Sequence, residues 1–234
     1  MKNDKSLETL IREIMEAMLE YDLLAFDEER PHELGPPASP KQIAKLEGVL
    51  GKSLPPSYRA FLELHNGWSD FDGSAKLLAV EDHESKWVKY RLETFAIGFE
   101  DGEKNPFKIG AIPVLLGKDE LNFLVLDPRK IRKNGEMDFV MYDYGEEEDR
   151  FKDFTSYLRD YLEVMRRSIE EESAAEWAFM SNLKPSGLRP RIRKRFPRAY
   201  RPVASRTPSG PRSKLSRSRI AAARMDARAR TAEF

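Results

Sequence analysis

Apolar positions follow a helical period at the start of the chain, break into short runs in the middle, return to a helical period, and then stop. Leu7, Leu10, Ile11, Ile14, Met18 and Leu19 recur three and four apart behind Ser6, a residue suited to cap the first free amides. They predict a first helix, with Arg12, Glu13, Glu16 and Glu20 mainly on its other faces. Residues 27–38, DEERPHELGPPA, are rich in proline and charge and read as a linker. Ser39-Pro40-Lys41-Gln42 opens a second helix: Ser39 caps, Pro40 takes the position where a missing donor costs nothing, and Gln42 reaches back to the cap. Ile43, Leu46, Val49 and Leu50 form its apolar face, and Gly51 supplies a left-handed stop. Pro55 and Pro56 end that segment and set the direction of a third helix. Tyr58, Phe61, Leu62 and His65 share one face of it, and Asn66-Gly67 closes it.

From Lys76 the period changes. KLLAVE, ETFAIG, AIPVLL, NFLVLD and DFVMYDY are short apolar or alternating runs bounded by Gly, Asp, Asn and Pro, and predict strands. The last three follow one another too closely for helical crossovers, which favours antiparallel pairing, with reversals at Asp127-Pro128 and Asn134-Gly135. Phe151, Phe154, Tyr157, Leu158, Tyr161, Leu162 and Met165 then define an amphipathic closing helix. Its pattern continues through Ile169 to Trp177 and Met180, with Glu170-Glu171-Glu172-Ser173 leaving a kink or restart open. The expected fold is α+β, with N-terminal helices packed on one face of a mainly antiparallel sheet and a C-terminal helix closing it.

Beyond Leu183 the periodicity ends, and composition changes the picture. The chain has 234 residues, 40% hydrophobic and 34% charged, and its formal charge of zero hides a division. Lys184 to Phe234 holds 16 of the 40 basic and two of the 40 acidic residues, a balance of +14, which leaves −14 on residues 1–183. Prolines at 185, 190, 197, 202, 208 and 211, many Ser and Arg, and few large apolar residues predict a disordered basic tail. A nucleic-acid arm and a translated frameshift or read-through of a GC-rich gene both account for the shift. The expected organisation is 1–37 as N-terminal helix and linker, 38–183 as the main domain, and 184–234 as tail. No apolar run is long enough to span a bilayer, and the charged N-terminus is no secretory signal. Without cysteine there is no disulfide, thiolate metal site or thiol nucleophile, and a cytoplasmic location fits.

The stretch ASPKQIAKLEGVLGKSLPPSYRAFLELHNGW resembles the opening signature of the SUKH superfamily, the Smi/Knr-like proteins. Gly51, Leu54, Pro55, Tyr58, Phe61, Leu62, Asn66 and Gly67 stand at the matching positions. IPVLLGKDELNFLVLD looks like the family's strand pair ending in Asp, here Asp127, and RFKDFTSYLRDYL like its closing helix. The likeness spans roughly residues 38 to 165; GKDELN departs from the Gly-rich or more polar turn that is usual there. What the resemblance implies is binding. Bacterial members include immunity proteins that neutralise secreted toxins, often nucleases, and fungal relatives regulate cell-wall assembly. The motif residues look like core and turn formers, so the resemblance implies no catalytic residue and no cofactor.

The residues themselves point the same way. There is no GxSxG, GxxxxGK[ST] or GxGxxG, so no nucleophile elbow or phosphate loop declares itself. His65 and His83, with Asp82 or Asp70, match no metal spacing, and the DFDG loop has Ala75 where a calcium loop needs glycine. The candidate partner-binding residues are therefore surface acids and aromatics: Asp70 and Asp72; Glu81, Asp82 and Glu84; Glu100, Asp101 and Glu103; and Trp68 and Trp87 as anchors. Each acidic group reads equally as a solvated loop, the run Glu146 to Asp149 before the closing helix among them, and each Trp equally as core. A basic, nuclease-like protein toxin is the expected partner, with nucleic acid a partner only through the tail. That last reading predicts retention on nucleic acid that falls steeply with salt and is lost when residues 184–234 are removed; retention unchanged by the deletion contradicts it.

Overall fold

The computed structural model describes residues 6–28, 30–73, 75–99, 104–117 and 122–182. Helix α1 (Leu7–Phe26) is followed by α2 (Pro40–Leu50), α3 (Pro56–Leu64), strands β1 (Trp68–Asp72) and β2 (Ala75–Leu77), and α4 (Lys86–Ile97). Strands β3 (Ile112–Leu116), β4 (Asn122–Ile131), β5 (Met137–Asp143) and β6 (Glu146–Phe151) lead into α5 (Phe154–Asn182). The six strands form one antiparallel meander in chain order. The chain divides into two units between Ile169 and Glu170; the whole sheet, helices α1 to α4 and the first half of α5 belong to the first.

The helix boundaries obey local chemistry. The Ser6 hydroxyl accepts from the Thr9 amide, and Ser39 with Gln42 forms the reciprocal capping box. Gly51 sits at φ 65° and ends α2. Pro56 opens α3, so the paired prolines do fix the angle between α2 and α3. On the first face of the sheet, Tyr58 and Phe61 of α3 meet Phe154 of α5 at ring separations of 5.5 and 5.2 Å. Phe139 of β5 lies 5.4 Å from Phe154 and 5.0 Å from Tyr157. Such aromatic pairs contribute about 0.5–1.5 kcal/mol each beyond their burial. Leu10, Ile11, Ile14 and Met18 of α1 are buried as their spacing predicts.

Several expectations are corrected. ETFAIG is the end of α4, not a strand: Ser85 caps that helix, and its apolar positions Val88, Leu92 and Phe95 begin upstream of the run. Helix α4 covers the second face, where Phe95 stacks on Phe123 at 4.5 Å beside Val125, Val140 and Tyr142. That explains why AIPVLL and DFVMYDY read as continuous apolar runs; their strands are buried on both faces. Only the start of KLLAVE is strand, and Val80–Glu84 is a 3-10 turn. Asp127-Pro128 is a bulge within β4, not a reversal, whereas Asn134-Gly135 does turn the chain, with Gly135 at φ 83°. The acidic run Glu146 to Asp149 is the body of edge strand β6, and the closing helix starts at Phe154 because Phe151 ends that strand. Helix α5 continues unbroken through Glu170 to Ser173. Trp68-Ser69-Asp70-Phe71-Asp72 is a strand that the apolar pattern does not signal. Residues 184–234 lie outside the described residues.

The second face also carries an ionic network. Asp127 and Asp138 are buried and directly opposite one another on β4 and β5. Arg150 donates from Nη1 to both, at 3.0 and 3.1 Å, and clasps Glu147 with Nε and Nη2. Arg129 forks onto Asp127, and Arg132 bonds Asp138 and the Lys152 carbonyl. Burial works to raise the Asp127 carboxyl, and the bonds from Arg129 and Arg150 outweigh it, holding it below the usual range. Replacing Arg150 by Met leaves two buried acids short of a donor. Because Arg150 is one-third exposed, the expected loss is about 2–3 kcal/mol in urea unfolding, below the 3–5 of a fully buried pair. A loss under about 0.5 kcal/mol, the size of a neutral surface change, contradicts this role.

Candidate partner-binding surface

The family-like motif builds a junction. After α3 the chain turns through Asn66 and Gly67, the latter at φ 88°. The Asn66 backbone amide donates to the Pro36 carbonyl at 2.9 Å. Its side-chain oxygen accepts from the Val80 amide at 2.8 Å, and its side-chain amide donates to Glu81 at 2.8 Å. A Cβ on Gly67 would stand 2.9 Å from the Ala79 nitrogen, so the backbone approaches too closely for any side chain. Gly35 is equally constrained, because a Cβ there would lie 2.2 Å from the Asn66 carbonyl oxygen. Residues 33–35 run beside the start of β1: Gly35 donates to the Gly67 carbonyl, Ser69 to the Glu33 carbonyl, and Leu34 bridges Trp68. The linker thus covers the outer edge of the sheet there.

The 3-10 turn holds three of the acidic candidates together. Glu81 accepts from Gln42 and Asn66, Asp82 from the Ala79 amide at 2.8 Å and from Lys76, and Glu84 from Lys45. Burial works to raise the Glu81 carboxyl, and the bonds from Gln42 and Asn66 overcome it and hold it low. Lys45 lowers the Glu84 carboxyl by direct hydrogen bonding. This acidic ridge is therefore partly matched from within by α2. Asp70 sits at φ 51° with its carbonyl accepting from His32 Nδ1 at 2.6 Å, and Asp72 ends β1 opposite Ala75. Trp68 is 1% exposed and packs edge-on to Phe71 at 5.0 Å, so it is a core residue and not a surface anchor. Trp87 is half-buried against the second-face core, with the Lys76 ammonium 5.7 Å from its ring centre. Glu100, Asp101 and Glu103 lie outside the described residues.

Two histidines have structural positions that sequence spacing does not reveal. His32 Nδ1 pairs with the Asp70 carbonyl and its Nε2 lies 2.7 Å from Asp22 Oδ2, while Arg30 also bonds Asp22. This latch ties α1 and the linker to β1; the signal for it is the charge inside an otherwise proline-rich linker. His83 has its Nε2 sealed from water with no hydrogen-bond partner. Among the described residues, no three His, Asp or Glu side chains are grouped to hold a metal.

Burial pushes the His83 imidazole down to about 4, against a smaller upward pull from Asp82. The unfolded chain takes up this proton near 6.5 and the folded chain only near 4, so stability falls as pH drops through that window. At about 1.4 kcal/mol per unit, the loss attributable to His83 is about 3 kcal/mol. Unfolding free energies measured across the window should slope in the native chain and flatten in His83→Gln; equal slopes contradict this.

No curated protein matches the chain. Residues 37–160, more than half of its length, match the model of one family, and the match takes in α2, α3, Asn66-Gly67 and all six strands. By that match the chain belongs to the SMI1 / KNR4 family (SUKH-1).

Proposed function

We propose that this is a non-catalytic protein-binding domain, working in the cytoplasm as an immunity protein that neutralises a cognate secreted toxin of a polymorphic toxin system. It does so by occluding the toxin's active site or substrate groove. Membership of the SMI1 / KNR4 family (SUKH-1) is the observation that carries this reading. The motif residues support it, because Gly51, Tyr58, Phe61, Asn66 and Gly67 are occupied with capping, core packing and the junction, which leaves the outer surface to act. The balance of −14 on residues 1–183 suits a basic, nuclease-like toxin, since complementary charge speeds encounter and rejects wrong partners.

The family's description also favours a second reading, a scaffold or regulator of the SMI1 / KNR4 kind that holds an intracellular partner by the same domain. The neighbouring genes separate the two. A toxin domain encoded beside this gene should lose its toxicity when co-expressed with the chain and should co-purify with it as a stable complex. Undiminished killing by that domain contradicts the immunity reading, and the lack of any toxin gene alongside turns the balance to the regulator.

A further inference from the structure

The hairpin joining β5 to β6 is made of two residues, Tyr144 at φ 48° and Gly145 at φ 83°. Two positive φ values in succession make a turn whose first position suits asparagine or aspartate, because a short polar side chain tolerates that conformation. A bulky aromatic there is an outlier that folding disfavours. Tyr144 gains no burial in return, being 73% exposed. Strain without a packing return points to a use outside the folded core.

The surroundings say what the use is. A Cβ on Gly145 would stand 2.3 Å from the Gly98 carbonyl oxygen, so the tip of the hairpin lies directly on the C-terminal end of α4. Ile97, the residue before Gly98, is 81% exposed. Two large exposed apolar residues therefore flank one glycine-to-glycine contact, Ile97 as the last residue of α4 and Tyr144 in the tight turn between two paired strands. Behind them Phe99 and Phe123 pack on Tyr142, 5.7 and 5.2 Å away, so the corner has a fixed base. Exposed carboxylates adjoin it along the chain: Glu93 lies one turn before Ile97 on α4, and Glu146 and Glu148 follow the turn on edge strand β6. Apolar anchors beside exposed acids fit a basic protein surface.

We propose that the Ile97–Tyr144 corner is the docking surface for a basic protein partner, with Tyr144 held in its strained turn for that purpose. This rests on the protein-binding reading above and adds the place of contact. Tyr144→Asn puts a favoured residue into the turn and removes the anchor. If Tyr144 serves the fold, this variant melts lower. If it serves a partner, the variant melts higher, by about 2–4 °C for each kcal/mol of strain relieved in a chain of this size.

The binding arm uses a phage-displayed random peptide library panned on the full chain, with the native protein and Tyr144→Asn in parallel. The clones of interest are those kept by the native chain and lost by the variant. They should be rich in Lys and Arg with an apolar residue, should bind the variant at least tenfold more weakly, and should be weakened equally by Ile97→Glu. An absence of differential clones, or differential clones that are acidic or uncharged, overturns the proposal, as does a lowered melting point. Self-association of the native chain in light scattering, abolished by Tyr144→Asn, replaces the basic partner with a second copy. Toxin protection that survives Tyr144→Asn and Ile97→Glu intact refutes this surface while leaving the immunity reading in place.

Discussion

The close approach of backbone at Asn66-Gly67 is the constraint from which the rest of the unit is built. Three separate segments meet there: the end of α3, the linker at Gly35-Pro36, and the chain from Leu77 to Glu81. Neither glycine leaves room for a Cβ, and Asn66 bonds to the linker and to the 3-10 turn at once. Because that turn leads straight into α4, the direction in which the chain crosses to the second face is settled at this one point. Only a small amide that bonds through both ends, followed by a residue free to adopt positive φ, meets all of these demands.

The two faces of the sheet are held by different physics. Rings from α3, α5 and β5 fill the first, and non-directional burial suffices there. On the second, α4 covers Phe123, Val125 and Val140, while Asp127 and Asp138 fall beyond them on the same strands. Burying two carboxylates is costly, and the three arginines offset that cost instead of turning it into a large gain. Their effect on register is sharper. A slip of one residue between β4 and β5 would turn Asp127 or Asp138 toward the aromatic face, where none of these arginines reaches. The charged pair therefore excludes misregistered sheets that hydrophobicity alone would tolerate.

Much of this is legible in the sequence. Capping residues mark the starts of α1 and α2, paired prolines the entry to α3, and continuous apolar runs β3, β4 and β5, because each signal is local. What cannot be read is set by partners distant in the chain. Strand β6 is built on EEEDR, with no apolar alternation; it is a strand because β5 offers an open edge and Arg150 gathers acids from three strands. ETFAIG resembles a strand because its helical period starts before the run. Trp68 reads as core or anchor alike, and only Phe71 and the linker, which enclose it, decide between them. The acids are legible as a surface, but their internal pairing with Lys45, Gln42 and Lys76 is not. The corner at Ile97 and Tyr144 is invisible for the same reason, since only the fold joins Gly98 to Gly145.

That internal pairing bears on how such a domain meets a partner. Glu81, Asp82 and Glu84 already bond to groups of their own chain, so a partner's lysine or arginine would have to displace Lys45 or Lys76 to reach Asp82 or Glu84 fully. The exchange of one exposed ion pair for another returns little, of order 0–1 kcal/mol. Carboxylates without such a match still contribute to the long-range field, which acts on the rate of encounter over about a Debye length. Lasting affinity must then come from apolar side chains that a partner can desolvate. Among the described residues these are few and exposed, and they sit on scaffold whose shape the buried motif fixes. The residues that specify the fold are spent on the junction and the core, so substitutions on the outer surface can change its charge and its apolar content without disturbing either.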